Sequence, residues 1–367
     1  ICRKRGLKPI IWSDMYFRLG SEKNDYYDLD ATVPQDVIKD IPADVQLVYW
    51  DYYHTDPAFY ETMIDMHRKL GKEPVFAGGG WTWNHFWANL PFANTVTDAA
   101  MAAVRKTGVR EAVLTLWGDD GMECDVYSAL PALQRFAEHC YNADADPDLL
   151  RANFNAICGA DYDAWLRASD IDKPPALRKP ESTPANPSKW LLWQDPLLSI
   201  MDGVLGDCEL REHYRELSNM LFRAQEREGG GRRLLFPALI ARALTYKAEL
   251  RRNLAAAYKA NDTMRLREIV DTDLAALCAA VDELWRYHRD MWMQTYKPFG
   301  WEVLEQRYGG LLARLDCVKM RVQAYLANDI EDIPELDADM LNAFPGCDAE
   351  NLPSVRYPRV ATPSYIK

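Results

Sequence analysis

The first 145 residues alternate short apolar runs with helical patterns, and this alternation restricts that region to an α/β fold. The runs are continuously apolar and rich in β-branched and aromatic side chains, as strands buried on both faces of a parallel sheet are. Successive runs are separated by about the length of one βα unit. Four strands are therefore predicted: KPIIW (8–12), VQLVYW (45–50), EPVFAG (73–78) and EAVLTLW (111–117).

Helices are predicted between and after these strands. One begins at Asp56-Pro57, an N-cap followed by proline at the first helical position, and ends at Gly71. Others are expected over 97–107 and 125–140. Four βα units are half of a (β/α)8 barrel, which needs eight. The prediction for residues 1–145 is the C-terminal half of such a barrel, and the alternative is a doubly wound sheet.

The pattern changes to helices alone in the second half of the chain. Proline accumulates over 172–188, and we predict a Pro-rich linker over 146–189. Residues 190–330 are predicted as a helical domain, because apolar residues recur there at spacings of three and four. An extended C-terminal tail is expected over 331–367. The apolar stripes comprise Leu239, Ala243, Tyr246, Leu250, Leu254 and Ala257, and then Leu266, Val270, Leu274, Leu277, Val281 and Leu284.

Charge and composition exclude several partners. The net charge of −12 and the pI near 5.1 disfavour nucleic acid and anionic membranes, which bind basic surfaces. The eight cysteines contain no C-x-x-C pair and the six histidines no metal-binding spacing. No disulfide framework, metal or cofactor is expected, and free thiols favour a reducing, cytoplasmic location.

A tryptophan lies at or shortly after the end of each predicted strand, and polar residues follow. The endings are Trp12-Ser13-Asp14, Trp50-Asp51, Trp81-Thr82-Trp83-Asn84 and Trp117-Gly118-Asp119. Functional residues of barrels lie at the C-terminal ends of strands. Sugar rings pack their C–H faces on aromatic rings, and carboxylates accept bonds from sugar hydroxyls. Single residues of this set could be core tryptophans or helix caps, but the fourfold repetition favours a sugar pocket.

At these residues the sequence resembles the family-20 glycoside hydrolases, the β-N-acetylhexosaminidases. Trp12 with Asp14 is similar to the end of that family's fifth strand, Trp50 to the sixth, and Trp117-Gly118-Asp119 to the Trp-Gly-Glu of the eighth. The runs WLLWQD (190–195) and KPFGWEVLEQR (297–307) resemble the helical C-terminal domain of a bacterial-type branch.

The resemblance implies the site residues and two departures from the family. Asp119 replaces the family's Glu, and the seventh strand lacks the Tyr that holds the acetamido carbonyl, so Tyr52 or Tyr53 would supply that hydroxyl. The implied substrate-binding set is Trp12, Asp14, Trp50, Asp51, Tyr53, Trp81, Trp83, Trp117 and Asp119.

The resemblance implies exo-acting hydrolysis of terminal β-linked GlcNAc or GalNAc by a retaining, substrate-assisted mechanism. The family's catalytic Asp-Glu pair belongs to the fourth strand, which would precede Ile1, so no catalytic residue is assigned and the chain alone is expected to be inactive. The expected partners are an N-acetylhexosamine-terminated glycan and an N-terminal barrel half or a second copy of the chain. Two alternatives remain: a non-catalytic sugar-binding or interaction module, and an inverting glycosidase using Asp51 and Asp119.

Overall fold

The chain is mostly helical, with a small parallel sheet near its N-terminus. The computed structural model describes residues 1–177, 179, 183–227, 232–341, 344–348 and 351–364. The strands confirm the four predicted runs; three are shorter than predicted, and the third begins two residues later and ends one residue later. They pair in chain order, with Ile10 opposite Gln46, Val48 opposite Val75 and Phe76 opposite Ala112. The strands are β1 (Ile10–Trp12), β2 (Gln46–Trp50), β3 (Val75–Gly79) and β4 (Ala112–Thr115).

The sheet buries its two central strands and leaves its outer strands more open. Every residue of β3 is buried, whereas every residue of β1 is exposed. Side chains alternate between the faces along β2, so Leu47 and Tyr49 enter the main core while Val48 lies in a small cluster on the other face. The main core is completed by helical residues such as Met63 and Ile64.

The helices around the sheet follow the predicted signals. The Asp56 carboxylate accepts a hydrogen bond from the Ala58 N–H, as an N-cap does, and Gly71 adopts a φ of 78° after the helix. The helix predicted over 97–107 begins earlier, and that predicted over 125–140 is preceded by a 3₁₀ turn over Val126–Ala129. These helices are α1 (Asp14–Gly20), α2 (Gln35–Asp40), α3 (Pro57–Lys69), α4 (Leu90–Thr107) and α5 (Leu130–Tyr141).

The second half contains the predicted helices. In both predicted stripes the side chains are buried, except for the half-buried Tyr246. A π-helical turn over Ile269–Leu274 interrupts the second stripe without exposing it. The helices are α6 (Pro147–Cys158), α7 (Tyr162–Ala168), α8 (Pro187–Trp193), α9 (Asp202–Leu205), α10 (Leu210–Arg227), α11 (Leu235–Lys247), α12 (Leu250–Lys259), α13 (Thr263–Glu268), α14 (Ala275–Thr295), α15 (Trp301–Leu326) and α16 (Pro334–Asp337).

The stretch 146–189 differs from the linker that its prolines indicated. It contains α6, α7 and the start of α8, with a 3₁₀ turn at Ser169–Asp172. Phe154 packs edge-on against Tyr162 and Trp165, at ring separations of 5.4 Å. These three aromatic side chains pack α6 against α7, and proline content alone did not reveal them. That residues 146–189 link the N-terminal barrel half to the helical domain stays a prediction.

Two compact units can be distinguished, and their boundary is not at residue 145. The first unit comprises residues 1–81, 92–117 and 132–150, and the second comprises 82–91, 118–131 and 151–367. The segments after β3 and β4 therefore belong with the helices of the second unit. Polar contacts connect these segments to the rest of that unit. His85 forms a hydrogen bond with Asp172, and Arg233 forms an ion pair with Asp125.

Two further properties of the described chain bear on its chemistry. The eight cysteines all lie in described residues and form no disulfide; Cys124 is buried and Cys140 exposed. Within the described ranges, no helix combines the length and apolar character needed to cross a bilayer.

Candidate functional site

Aromatic side chains from all four strand ends form one cluster in the first unit, with Tyr52 at its centre. The indole N–H of Trp117 donates to the Tyr52 hydroxyl at 3.1 Å, and that of Trp81 donates to the Tyr52 carbonyl at 2.8 Å. The Trp50 ring lies 5.2 Å from the Tyr52 ring. The rings of Trp12 and Trp117 are 6.0 Å apart, although their strands are the outermost two of the sheet. The four tryptophans therefore lie together at the edge of the sheet where the parallel strands have their carboxyl ends.

The members of this cluster differ in accessibility. Trp12 is 44% exposed, Trp117 38% and Tyr53 43%, so these three rings offer surface to a ligand. Trp81 is 2% exposed and meets the Tyr53 ring edge-on at 5.5 Å. Its φ of 50° is left-handed, a conformation that a bulky residue adopts only when its surroundings fix it. Trp81 is thus a buried member of the cluster, against which the exposed Tyr53 ring packs.

Asp51 organises the turn after β2. One carboxylate oxygen accepts the Tyr53 N–H at 3.0 Å, and the other lies 2.8 Å from the Tyr49 hydroxyl and 2.7 Å from the His54 Nδ1. The side chain is fully buried. Both oxygens are therefore occupied by the protein itself, and direct contact with sugar hydroxyls stays a prediction that would require these bonds to open.

The environment of the Tyr52 hydroxyl disfavours its charged form. Its pKa is raised, mainly by burial and further by the carboxylates of Asp51 and Asp14. The phenol consequently keeps its proton at neutral pH. Asp14 itself is the first residue of α1 and is half-buried.

Two tyrosines that the sequence did not single out belong to the same cluster. The Tyr27 hydroxyl donates to the Trp50 carbonyl at 3.2 Å, and its ring lies 5.5 Å from that indole. Tyr26 lies 6.2 Å from the same indole. Both come from the polar stretch SEKNDYYDLD, which has no periodicity, so only the aromatic pair itself could have marked them.

Trp83 and Asp119 belong to the second unit. Trp83 is 6% exposed. The Asp119 carboxylate is about half exposed and accepts a hydrogen bond from the Arg356 guanidinium at 3.3 Å. Asp119 is thus far more accessible than the adjacent Asp120, whose side chain is 5% exposed.

The neighbouring Asp120 lies in a buried cluster of four charges within the second unit. Lys189 Nζ is 2.6 Å from both the Asp120 and the Glu123 carboxylates. Arg307 is 2.7 Å from Glu123 and 3.3 Å from Asp120. The four side chains are at most 7% exposed. Two cations and two anions balance, so the loop after β4 is held by buried ion pairs rather than by a simple turn.

No metal site accompanies this arrangement in the described residues, where no cluster of His, Cys, Asp or Glu is suited to hold an ion.

Residues 163–351, more than half of the chain, match the family described as the Glycoside Hydrolase 20C C-terminal domain. The chain belongs to this family, which is a branch of the family-20 glycoside hydrolases. Among curated proteins, none matches the chain.

Proposed function

We propose that this chain is part of an exo-acting β-N-acetylhexosaminidase, which removes terminal β-linked GlcNAc or GalNAc. The observation that carries the proposal is the aromatic cluster in which Tyr52 joins the tryptophans of all four strand ends. An aromatic wall with few polar groups is the environment that binds a single pyranose.

The accessible members would contact the sugar. Trp12 and Trp117 present the exposed indole faces, and Trp50 closes the wall between them. Tyr53 is the candidate for holding the acetamido carbonyl, because its ring is exposed whereas Tyr52 is 4% exposed and already accepts the Trp117 N–H. Trp81 and Asp51 would fix the positions of these residues.

The sheet supports membership of a larger barrel. Its strands follow one another in chain order, as in a (β/α)8 barrel, whereas a doubly wound sheet reverses its order at a switch point. Ile10 on β1 is 54% exposed and Val113 on β4 is 47% exposed, which leaves apolar side chains on both outer strands for further strands to cover. We propose that an upstream segment completes the barrel, and a second copy of the chain is the alternative.

The acid and the amide-orienting carboxylate would come from that upstream part. In the proposed mechanism a Glu protonates the leaving oxygen while the substrate's own amide oxygen attacks the anomeric carbon, an exception to the two-carboxylate scheme. The residues of this chain would stack on the sugar, exclude water and hold hydroxyls. An inverting mechanism that uses Asp51 as the base is disfavoured, because its carboxylate already accepts hydrogen bonds from the protein.

Hydrolysis of aryl GlcNAc and GalNAc substrates tests the proposal. The enzyme that contains this chain should release the aryl group, and this chain alone should not. Trp117→Ala should lower kcat/KM at least tenfold, whereas Trp285→Ala, on α14 beside Arg286, should leave it unchanged. Sugar binding without turnover by the longer protein would favour a non-catalytic module. Turnover by this chain alone would show that the upstream acid is not required.

A further inference from the structure

A cavity of about 430 Å³ opens within the second unit, between the end of α8, one face of α15 and the C-terminal tail. Its volume falls in the range of small-molecule sites, about 300–1,000 Å³. One face of α15 supplies Arg307, Gly310 and Arg314, and the other walls carry Trp193, Asp195 and Tyr357.

Gly310 lies in the interior of α15, where glycine is less favourable than alanine because it loses more conformational entropy on folding. Neither packing nor backbone conformation requires a glycine at this position. A Cβ there would meet no atom of the described chain within 4 Å, and the φ angle lies outside the left-handed range. Since Gly310 lines the cavity, a side chain would occupy space that is now open. The glycine therefore keeps the helix backbone accessible to a molecule in the cavity.

Two side chains of the cavity wall carry buried hydrogen-bond donors. Trp193 is 3% exposed and Arg307 6%. Within the described ranges, neither Trp193 Nε1 nor Arg307 Nε has a hydrogen-bond partner, which is costly for a buried polar group. The Tyr357 ring contacts both residues, 4.2 Å from the Arg307 guanidinium and 5.8 Å from the Trp193 ring. Acceptor oxygens of a ligand can supply the missing bonds after a small side-chain movement.

Arg314, two helical turns further along α15, presents donors beside an acceptor. Its Nε and Nη2 donate to the two carboxylate oxygens of Asp195 at 2.7 and 3.3 Å, and Nη1 lies 3.7 Å from the Cys317 sulfur. A guanidinium has five N–H groups, so these contacts leave two for a ligand. The Arg314 side chain is 30% exposed and that of Asp195 8%. A hydroxyl group, which both donates and accepts, suits this pair.

The charges around the cavity balance. Arg307 belongs to the buried cluster in which two cations meet two anions, and Arg314 pairs with Asp195. Three cations thus face three anions, so an ionic ligand would leave a charge without compensation. A neutral ligand with hydroxyl groups avoids that cost. The C–H face of a sugar also packs on an aromatic ring such as that of the half-buried Tyr357.

We infer that this cavity is a second carbohydrate-binding site, which takes a neutral saccharide and is formed by the second unit alone. Arg314 and Asp195 bond to hydroxyl groups, the Tyr357 ring packs on a sugar face, and Gly310 lets the saccharide approach the backbone of α15. The aromatic cluster of the four strand ends belongs to the first unit, so the two sites are separate. Binding here does not depend on the proposed hydrolytic function.

Indole signals in NMR spectra test the site in the full chain. Labelling with ¹⁵N-tryptophan gives one indole N–H signal for each of the twelve tryptophans, and Trp193→Phe identifies the signal of Trp193. Titration with N,N′-diacetylchitobiose, a neutral saccharide, should shift that signal. Trp117 lies in the first unit, so its own signal reports binding at the strand ends separately.

Two neighbouring glycines of α15 provide matched variants. A Cβ on Gly309 or on Gly310 meets no described atom within 4 Å, so Gly309→Ala and Gly310→Ala should both raise the thermal midpoint. Gly310 is part of the cavity lining and Gly309 is not. Gly310→Ala should therefore raise the saccharide Kd read from Trp193 about tenfold, whereas Gly309→Ala should leave that Kd unchanged.

The selective loss in Gly310→Ala, with the Trp117 signal responding as in the wild type, supports the second site. An unmoved Trp193 signal in the wild-type chain overturns the inference, as does an equal Kd for the two glycine variants. Inorganic phosphate is the competing probe. A Trp193 signal that moves with phosphate and not with the saccharide overturns the inference as well, because the cavity then binds anions.

Discussion

Removing the positive charge of Lys189 should unfold the second unit far more readily than any surface substitution of the same kind. Lys189 is fully buried, and its ammonium group touches the carboxylates of Asp120 and Glu123 at 2.6 Å each. Methionine has a similar length but no charge. Lys189→Met leaves two buried carboxylates facing only the guanidinium of Arg307.

The structure sets the size of the effect. Breaking a buried ion pair by removing one partner costs about 3–5 kcal/mol, because the other charge stays buried without compensation. The matched control is Lys319→Met on α15, where the side chain is exposed, and surface changes of this kind stay within about 0.5 kcal/mol.

Urea unfolding followed by tryptophan fluorescence measures the difference. Trp190, the residue next to Lys189, is fully buried and is one of the twelve tryptophans whose emission follows unfolding. The midpoint of Lys189→Met should fall well below that of Lys319→Met at an unchanged slope. Equal midpoints for the two variants would show that the four-charge cluster is not energetically important, and the argument about the loop after β4 would lose its basis.

Three further predictions concern His67 and Asp51 in the first unit and Asp119 in the second. Burial lowers the pKa of His67 from 6.5 to about 4, so the unfolded chain binds its proton first; stability should be complete above pH 6.5 and decline as the pH falls towards 4, and His67→Gln should flatten that part of the pH profile of the thermal midpoint. Asp51→Ala removes three hydrogen bonds and should cost about 1–3 kcal/mol in unfolding free energy, against a change within about 0.5 kcal/mol for Asp30→Ala, whose side chain is 91% exposed. Asp119→Asn in the longer enzyme should weaken kcat/KM by about 1.5–3 kcal/mol, and an unchanged kcat/KM would show that Asp119 does not bind the sugar.

The strands and helices were predictable because the spacing of apolar residues along the chain follows which side chains are buried. All four strands and both helical stripes were found from the spacing of apolar residues. The gathering of Trp12, Trp50, Trp81 and Trp117 was also predictable, since parallel strands place their carboxyl ends at one edge. The spacing of apolar residues shows which face of a helix or strand is buried. The strands, the helical stripes and the gathering of the four tryptophans follow mainly from that burial.

Polar partnerships were not predictable, because they join residues far apart in the chain. Arg307 and Asp120 are separated by 187 positions, and Arg356 and Asp119 by 237. A charged residue in an apolar helix such as α8 gives no indication of its partner. The same reasoning explains Asp51, whose position after a strand suggested a ligand while its hydrogen bonds turned inward.

The buried charges after β4 make more sense as a positioning device than as a source of stability. Ion pairs of this kind are often replaceable by apolar side chains without loss of stability, so stability alone does not require them. They do fix a loop whose left-handed residues, Asp120 and Met122, would otherwise relax. Lys189→Met combined with Glu123→Leu leaves Asp120 paired with Arg307 and restores the charge balance.

That double variant should therefore recover most of the unfolding free energy lost in Lys189→Met. It should not recover full substrate affinity, because one of the two ion pairs of Asp120 is gone and Asp119 is held less firmly beside it. Urea midpoints and KM values on the same preparations separate the two effects. If stability and affinity recover together, the cluster acts only through folding, and the helical unit has no separate part in placing the loop.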